Sequence, residues 1–176
     1  MRMIPAVLFC LWGSILPAMA FESAYTNIEI DKCRVIFQDR ESGSIGWMCA
    51  GYQDMELFVA EGDIRFFVSA GTNADRRMAA RQTLPEFNYT HNVLEWRLDN
   101  GRPFATILRY FIAVNGEGDE EQVLVVTKIG KEDSCQVARV NASRNQNANV
   151  LAREAADTLA RDFVCGVDEI VEVGAE

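Results

Sequence analysis

Four cysteines behind a secretory leader constrain the fold of this chain more than any other feature of its sequence. The leader is predicted over residues 1–20, where Arg2 is the one charged residue, an apolar run follows it, and Ala18 and Ala20 are the small residues expected before the cleavage point. The apolar run is shorter than the about 20 residues of a membrane-spanning helix. Residues 21–176 are therefore expected to form a single exported domain, periplasmic or secreted, without a membrane span.

An exported domain with an even number of cysteines is expected to carry disulfides. The four that follow the leader are Cys33, Cys49, Cys135 and Cys165, whereas Cys10 lies within the leader. Four cysteines allow three pairings, so the count alone leaves the connectivity open. The chain contains no C-x-x-C pair, which argues against a zinc site or a catalytic dithiol, and we predict no metal and no cofactor.

The first two of these cysteines fall on two strand-like runs, 28–37 and 45–52, which are joined by a polar turn. One antiparallel register pairs three residues of the first run with three of the second on a single face, because side chains alternate along a strand. The three pairs are Cys33 with Cys49, Val35 with Trp47, and Phe37 with Ile45. This register predicts the Cys33–Cys49 bridge.

The pairing of Cys135 with Cys165 follows from the lengths of a strand and a helix. A strand predicted over 135–141 is about 20 Å long, and a helix predicted from Asn147 to about Val164 is about 25 Å long. A helix that folds back along the strand brings Cys165 beside Cys135, which predicts the second bridge. The helix carries an apolar stripe on one face and a charged i,i+4 series, expected to be exposed, on the other. The stripe is Leu151, Ala152, Ala155, Ala156, Leu159 and Phe163, and the series is Arg153, Asp157 and Arg161.

Alternating apolar residues and turn signals predict about eight strands in all. Besides the three already described, strands are expected over 56–60, 64–70, 93–98, 104–112 and 122–129. Asn100-Gly101 between two of these strands is a strong hairpin signal. A short helix is predicted over 74–84, and the segments 21–26 and 167–176 are expected to be loose ends.

These elements predict a mainly β fold, an antiparallel meander barrel or strongly curved sheet with the C-terminal helix packed against it. Closure into a barrel is favoured because an open meander leaves exposed strand edges. A two-layer α+β arrangement is the alternative.

The charge of the chain limits its partners. The formal net charge is −9 at pH 7, which disfavours nucleic acid and anionic membranes and favours a basic periplasmic or extracellular partner protein. Against this background Arg76, Arg77 and Arg81 cluster in the predicted short helix. Because Arg77 and Arg81 would lie one helical turn apart, the three arginines form a candidate anion-binding site. The sequence does not indicate the oligomeric state.

No catalytic residue is predicted. The single histidine, His91, is expected in a surface loop, and the chain has no G-x-S-x-G nucleophile elbow. A serine or cysteine triad needs a histidine placed beside its nucleophile. Bridging of all four cysteines would also leave no free thiol.

Several segments of the C-terminal half, together with the hairpin over 94–110, carry a resemblance. The C-terminal segments are 135–140, 145–149, 155–157 and 161–165. In these residues the chain resembles the ends of uncharacterised exported proteins of alphaproteobacteria. The resemblance implies a periplasmic location and no catalytic residues. In architecture the chain is also similar to periplasmic lysozyme inhibitors, small disulfide-bearing β-barrels, but it has no counterpart of their Ser-Gly-x-x-Tyr inhibitory loop.

These observations predict a periplasmic binding or protein-interaction module without catalytic activity. One alternative is a carrier of a small apolar ligand inside the barrel, which a lined central cavity would favour. Another is a cell-envelope hydrolase, which a polar cleft holding His91 and a carboxylate would favour.

Overall fold

The computed structural model describes residues 21–114 and 119–174, so the predicted leader lies outside the described residues. Within them the chain forms ten strands and one α-helix. The strands are β1 (Glu22–Asn27), β2 (Arg34–Gln38), β3 (Ile45–Ala50), β4 (Glu56–Gly62), β5 (Arg65–Ala70), β6 (Asn88–Asp99), β7 (Arg102–Val114), β8 (Asp119–Lys128), β9 (Gln136–Asn141) and β10 (Val171–Val173). The helix is α1 (Ala148–Leu159).

The strands form two separate sheets. Sheet A has the order β1-β6-β7-β8-β9-β10, and sheet B has the order β2-β3-β4-β5. Neighbouring strands are antiparallel, except that β10 runs parallel to β9. The predicted mainly β fold with a C-terminal helix on a sheet is confirmed. The sheets are not closed into a barrel: among the described residues, edge strands β1 and β10 of sheet A and β2 and β5 of sheet B do not pair with each other, and after β5 the chain returns to sheet A, where β6 pairs with β1.

Two hydrophobic cores hold three layers together. The first lies between α1 and sheet A, where Ala152 and Ala156 are fully buried and allow the helix to approach Val126 and Val140 closely. All residues of the predicted apolar stripe belong to this core, but the helix ends at Leu159 and not near Val164, so Phe163 lies beyond its end. The second core fills the space between sheet A and sheet B. Its members include Leu57, Val59, Leu94, Trp96 and Tyr110, all of them buried.

Local turn chemistry explains the longest hairpin. Asn100 and Gly101 join β6 to β7 and both adopt positive φ, 50° and 75°. A two-residue loop with this backbone matches the twist of the flanking strands, and Asn-Gly tolerates it well. The predicted hairpin at this position is confirmed.

Both predicted disulfides are present. Cys33 and Cys49 are bonded with a Cα–Cα distance of 4.5 Å, and Cys135 and Cys165 are bonded with a Cα–Cα distance of 5.8 Å. The first bridge belongs to the core between the sheets and the second to the core beneath the helix. No helix in the described part of the chain is long and apolar enough to cross a bilayer.

The prediction that residues 21–26 and 167–176 are loose ends was wrong, because each segment adds an edge strand to sheet A. Strand β1 pairs with β6 along its whole length. The buried indole of Trp96 reinforces this pairing, since its Nε1 donates a hydrogen bond of 2.9 Å to Oγ1 of Thr26. At the other end, β10 pairs with β9. These pairings join residues far apart in sequence, which a local pattern does not show.

The register of the first hairpin was partly wrong. Val35 lies opposite Trp47 as predicted, but Phe37 lies opposite Gly46 instead of Ile45. A β-bulge between Val35 and Phe37 shifts the register by one residue. Such a bulge turns the following side chain to the other face of its sheet.

The short helix predicted over 74–84 was also wrong. The segment forms two 3-10 turns, Ala74–Arg76 and Met78–Arg81, separated at Arg77, whose φ of −73° and ψ of 160° are extended. The Arg77 guanidinium explains this break. It donates hydrogen bonds to the backbone carbonyls of Thr72, Lys131 and Glu132 and so fixes the segment against the loop between β8 and β9.

Candidate functional site

An apolar surface lies on the outer face of sheet B, the face turned away from sheet A. We define the apolar patch as Ile36, Phe37, Met48 and Phe67. Ile36, Met48 and Phe67 are partly buried and pack against Phe58 and Ala60 beneath them. Phe37 lies 6.5 Å from Phe58 between ring centroids. The side chain of Phe37 remains 43% exposed.

The bulge in β2 and a glycine in β3 together create this patch. With its register shifted, Phe37 lies across Gly46 on the outer face. A Cβ atom at position 46 would come within 2.1 Å of the Phe37 ring, so a residue with a side chain cannot occupy this position while the ring stays in place. Gly46 therefore allows an aromatic ring to lie flat on the sheet and in contact with solvent.

The two 3-10 turns cover only part of the outer face. Ala74 and Ala80 pack against the apolar cluster, because the turns contact β4 and β5. Among the described residues, the half of the face formed by β2 and β3 keeps Phe37 exposed and Met48 partly exposed. An exposed cluster of aromatic and methionine side chains is typical of a surface that binds another protein.

Arginines border the apolar patch. Arg34 lies opposite Met48 in the register, so it shares the outer face with the patch, and it is exposed. The 3-10 segment beside the patch carries Arg76, whose side chain is 81% exposed, and Arg81, which is also exposed. Arg76 has an acidic neighbour, Asp75, at 3.9 Å. Arginines thus lie near the patch in a chain that is acidic as a whole, together with two acidic residues, Asp75 and Glu56.

The predicted anion site at Arg76, Arg77 and Arg81 loses its structural basis. The helix that would place Arg77 and Arg81 one turn apart is absent, and the Arg77 guanidinium is bound to three backbone carbonyls. Anion binding by these arginines remains a prediction. The structure gives Arg76 and Arg81 an exposed position beside the patch instead of a shared pocket.

A second feature is a polar cleft on the helix side of sheet A, where His91 and Glu95 lie together. His91 is exposed as predicted, but it lies on β6 and not in a loop. Its Nδ1 accepts a hydrogen bond of 3.0 Å from the backbone N–H of Val93. In the neutral ring this leaves Nε2 to carry the proton.

Glu95 is only 7% exposed and is held by several donors. Ser23 Oγ donates to it at 2.6 Å, and Arg153 donates through Nε at 2.6 Å and through Nη2 at 3.1 Å. This hydrogen bond with Glu95 raises the pKa of the Arg153 guanidinium. Next to the pair, Arg97 donates to Asp157 through Nε at 2.9 Å and Nη2 at 2.6 Å.

The prediction that the charged series of α1 is exposed was wrong for two of its three residues. Arg153 and Asp157 are half-buried and join the helix to β6, whereas Arg161 remains exposed. Glu95 accepts three hydrogen bonds, two through Oε1 and one through Oε2, which use three of the about four lone-pair sites of a carboxylate. These hydrogen bonds and ion pairs hold α1 against β6.

Sequence reasoning missed both features for definable reasons. The apolar patch depends on a β-bulge. The sequence signal for it was a glycine, Gly46, across the hairpin from an aromatic residue, Phe37. The cleft depends on Glu95 and Arg97, which alternate with the apolar residues of β6 on its helix-facing side. Because α1 covers this side of β6, two charged residues there need charged partners on the helix.

Among the described residues no three histidine, cysteine, aspartate or glutamate side chains lie close enough to hold a metal ion. No family model, no curated protein and no solved structure matches this chain.

Proposed function

We propose that this protein is an exported binding protein that docks a partner protein on the apolar patch of sheet B. The observation that carries the proposal is the exposed ring of Phe37, held flat on the sheet by Gly46 and surrounded by Ile36 and Met48. Aromatic residues, methionine and arginine are enriched where proteins bind each other, and an aromatic anchor often contributes most of the affinity.

An oxidising compartment is supported by the two disulfides and by the predicted leader. The proposal therefore places the protein in the periplasm or outside the cell, where the binding partner would also reside. The resemblance to exported alphaproteobacterial proteins favours the periplasm.

The partner we infer has an apolar docking surface with acidic residues around it. Arg34 and Arg76 at the border of the patch would pair with such residues at the rim of the interface. The net charge of the whole chain predicts a basic partner, but the charges nearest the patch decide which partner residues are in contact.

The alternative of a carrier with a ligand inside a barrel has little support. The sheets are not closed, and the space between them is filled by buried side chains such as Leu94 and Trp96. The hydrolase alternative remains a prediction; the firm hold on Glu95 by Ser23 and Arg153 argues against a free general base.

The test compares two phenylalanine-to-serine variants of the exported protein. Phe37→Ser removes the anchor, and Phe87→Ser is the matched control, since Phe87 is 49% exposed and immediately precedes β6. The first residue of β6, Asn88, is hydrogen-bonded to Ile64 beside β5, the edge strand of sheet B opposite to β2. A partner purified from the same compartment should bind Phe37→Ser at least about tenfold more weakly and Phe87→Ser as tightly as the unaltered protein.

Charge reversal tests the chemistry of the partner. Arg34→Glu should weaken binding to the same partner, and added salt should weaken binding of the unaltered protein. Equal affinity of Phe37→Ser and the unaltered protein would contradict the proposed docking site. Stronger binding by Arg34→Glu would contradict the acidic partner.

A further inference from the structure

The polar cleft on the helix side of sheet A contains a positive charge that no carboxylate of the described residues neutralises. The cleft has a volume of about 200 Å³ and lies between α1 and strands β1, β6, β7 and β8. Its polar lining consists of Tyr25, His91, Glu95, Arg109, Asn149 and Arg153. Ligand pockets for drug-sized molecules measure about 300–1,000 Å³, so this cleft fits a smaller molecule.

The first arginine of the cleft is already neutralised. Arg153 binds Glu95 with two hydrogen bonds and donates a third, of 3.0 Å, to the hydroxyl of Tyr25. It therefore contributes no net charge to the cleft. This pair serves mainly to hold α1 against β6.

The second arginine, Arg109, is held by neutral groups instead. Its Nη1 donates to Oε1 of Gln122 at 2.7 Å, and its Nη2 donates to Oδ1 of Asn149 at 3.2 Å. Among the described residues no carboxylate oxygen lies within 4.0 Å of it. These bonds use two of its five N–H donors, so a positioned guanidinium remains able to bind an anion.

The end of the helix adds to the positive potential. Asn149 belongs to the first turn of α1, and this turn contains no acidic residue. The N-cap residue, Asn147, makes no side-chain capping hydrogen bond. The positive end of the helix dipole therefore lies beside Arg109, and the first turn of the helix supplies no carboxylate to match it.

The rest of the lining is apolar. Val93, Ile107 and Leu124 line the cleft together with the polar groups, and Leu124 lies opposite Arg109 in the pairing of β7 with β8. A guanidinium fork matches the two oxygens of a carboxylate, while the three aliphatic side chains suit a short hydrocarbon chain.

We propose that this cleft binds a small organic monocarboxylate, with its carboxylate on Arg109 and its hydrocarbon part against Val93, Ile107 and Leu124. This site is on the other side of sheet A from the core that joins the sheets, so it is independent of the docking function proposed for sheet B. The exported protein would thus respond to a small acid as well as to a protein partner.

Calorimetric titration of the intact protein with acetate, propionate and butyrate, in a buffer free of carboxylate and phosphate, tests the proposal. Each added methylene should raise the affinity about fourfold until the acid outgrows the cleft. Arg109→Met should lower the affinity about 10- to 100-fold, and Arg102→Met, an exposed arginine on the same strand, should leave it unchanged.

One more variant and titrations with two inorganic anions complete the test. Arg109→Lys keeps the charge but loses the planar fork, so it should bind more weakly than the unaltered protein and more tightly than Arg109→Met; it also serves as the informative variant if Arg109→Met does not fold. Failure of all three acids to saturate the protein at about 10 mM would overturn the proposal. Tighter binding of phosphate or sulfate than of butyrate, or equal binding by Arg109→Met, would also overturn it.

Discussion

Removal of either disulfide is predicted to cost a similar amount of stability, and the two costs are predicted to add. The bridges enclose 16 and 30 residues of chain separation. With loop entropy alone, the Cys33–Cys49 bridge contributes about 3.1 kcal/mol and the Cys135–Cys165 bridge about 3.6 kcal/mol to the free energy of unfolding at 25 °C.

The structure explains why the two contributions should be independent. The first bridge packs in the core between the sheets and the second in the core beneath α1, on opposite faces of sheet A. Loss of the second bridge also leaves another link at the same place, because Lys128 Nζ donates to the carbonyls of Arg161 at 2.9 Å and Phe163 at 2.6 Å. Groups that share no partners usually have additive effects.

The assay is urea unfolding of three variants at one pH, followed by tryptophan fluorescence and far-ultraviolet circular dichroism. The variants replace both cysteines of the first bridge, of the second bridge, or of both bridges with alanine. Each variant that lacks one bridge should stay folded. The variant that lacks both should lose about 6.7 kcal/mol of its free energy of unfolding, which is comparable with the total stability of a typical domain. A cost below about 1 kcal/mol for either bridge, or a clear departure from additivity, would refute this reasoning.

Three further changes have defined outcomes. Glu95→Gln should lower the free energy of unfolding by about 2 kcal/mol in urea titrations, because Arg153 loses its charged acceptor. Gly46→Val should cost about 1–3 kcal/mol by the same assay and abolish partner binding, since the new side chain displaces the ring of Phe37. Burial raises the pKa of Tyr110, so above about pH 10 the unfolded chain loses a proton that the folded chain keeps, and stability falls; Tyr110→Phe should reduce the fall measured between pH 9 and pH 11.

Both disulfides and the Asn100-Gly101 hairpin could be predicted from the sequence because each depends on nearby residues. The cysteines fall on a hairpin and on a strand–helix unit, and Asn-Gly has a strong backbone preference of its own. The edge strands β1 and β10 could not be predicted, because their pairing with β6 and β9 joins distant parts of the chain. Division into two sheets depends on the same long-range pairing.

The candidate sites were harder to predict from the sequence than the fold. Local propensity favours a helix over 74–84, but the Arg77 guanidinium binds carbonyls of the β8–β9 loop and an extended residue results. The patch depends on one bulged residue before Phe37. The cleft brings together Tyr25, Arg109 and Arg153 from three elements, and no spacing in the sequence relates these residues.

Site-specific photocrosslinking in the native compartment tests the proposed docking function most directly. A photoreactive phenylalanine analogue is placed at Phe37 in one protein and at Phe87 in another, two positions with similar exposure. The proposed function predicts a covalent adduct with one partner protein from position 37, with acidic residues near the linked peptide, and no such adduct from position 87. No adduct from position 37, or the same adducts from both positions, would contradict it.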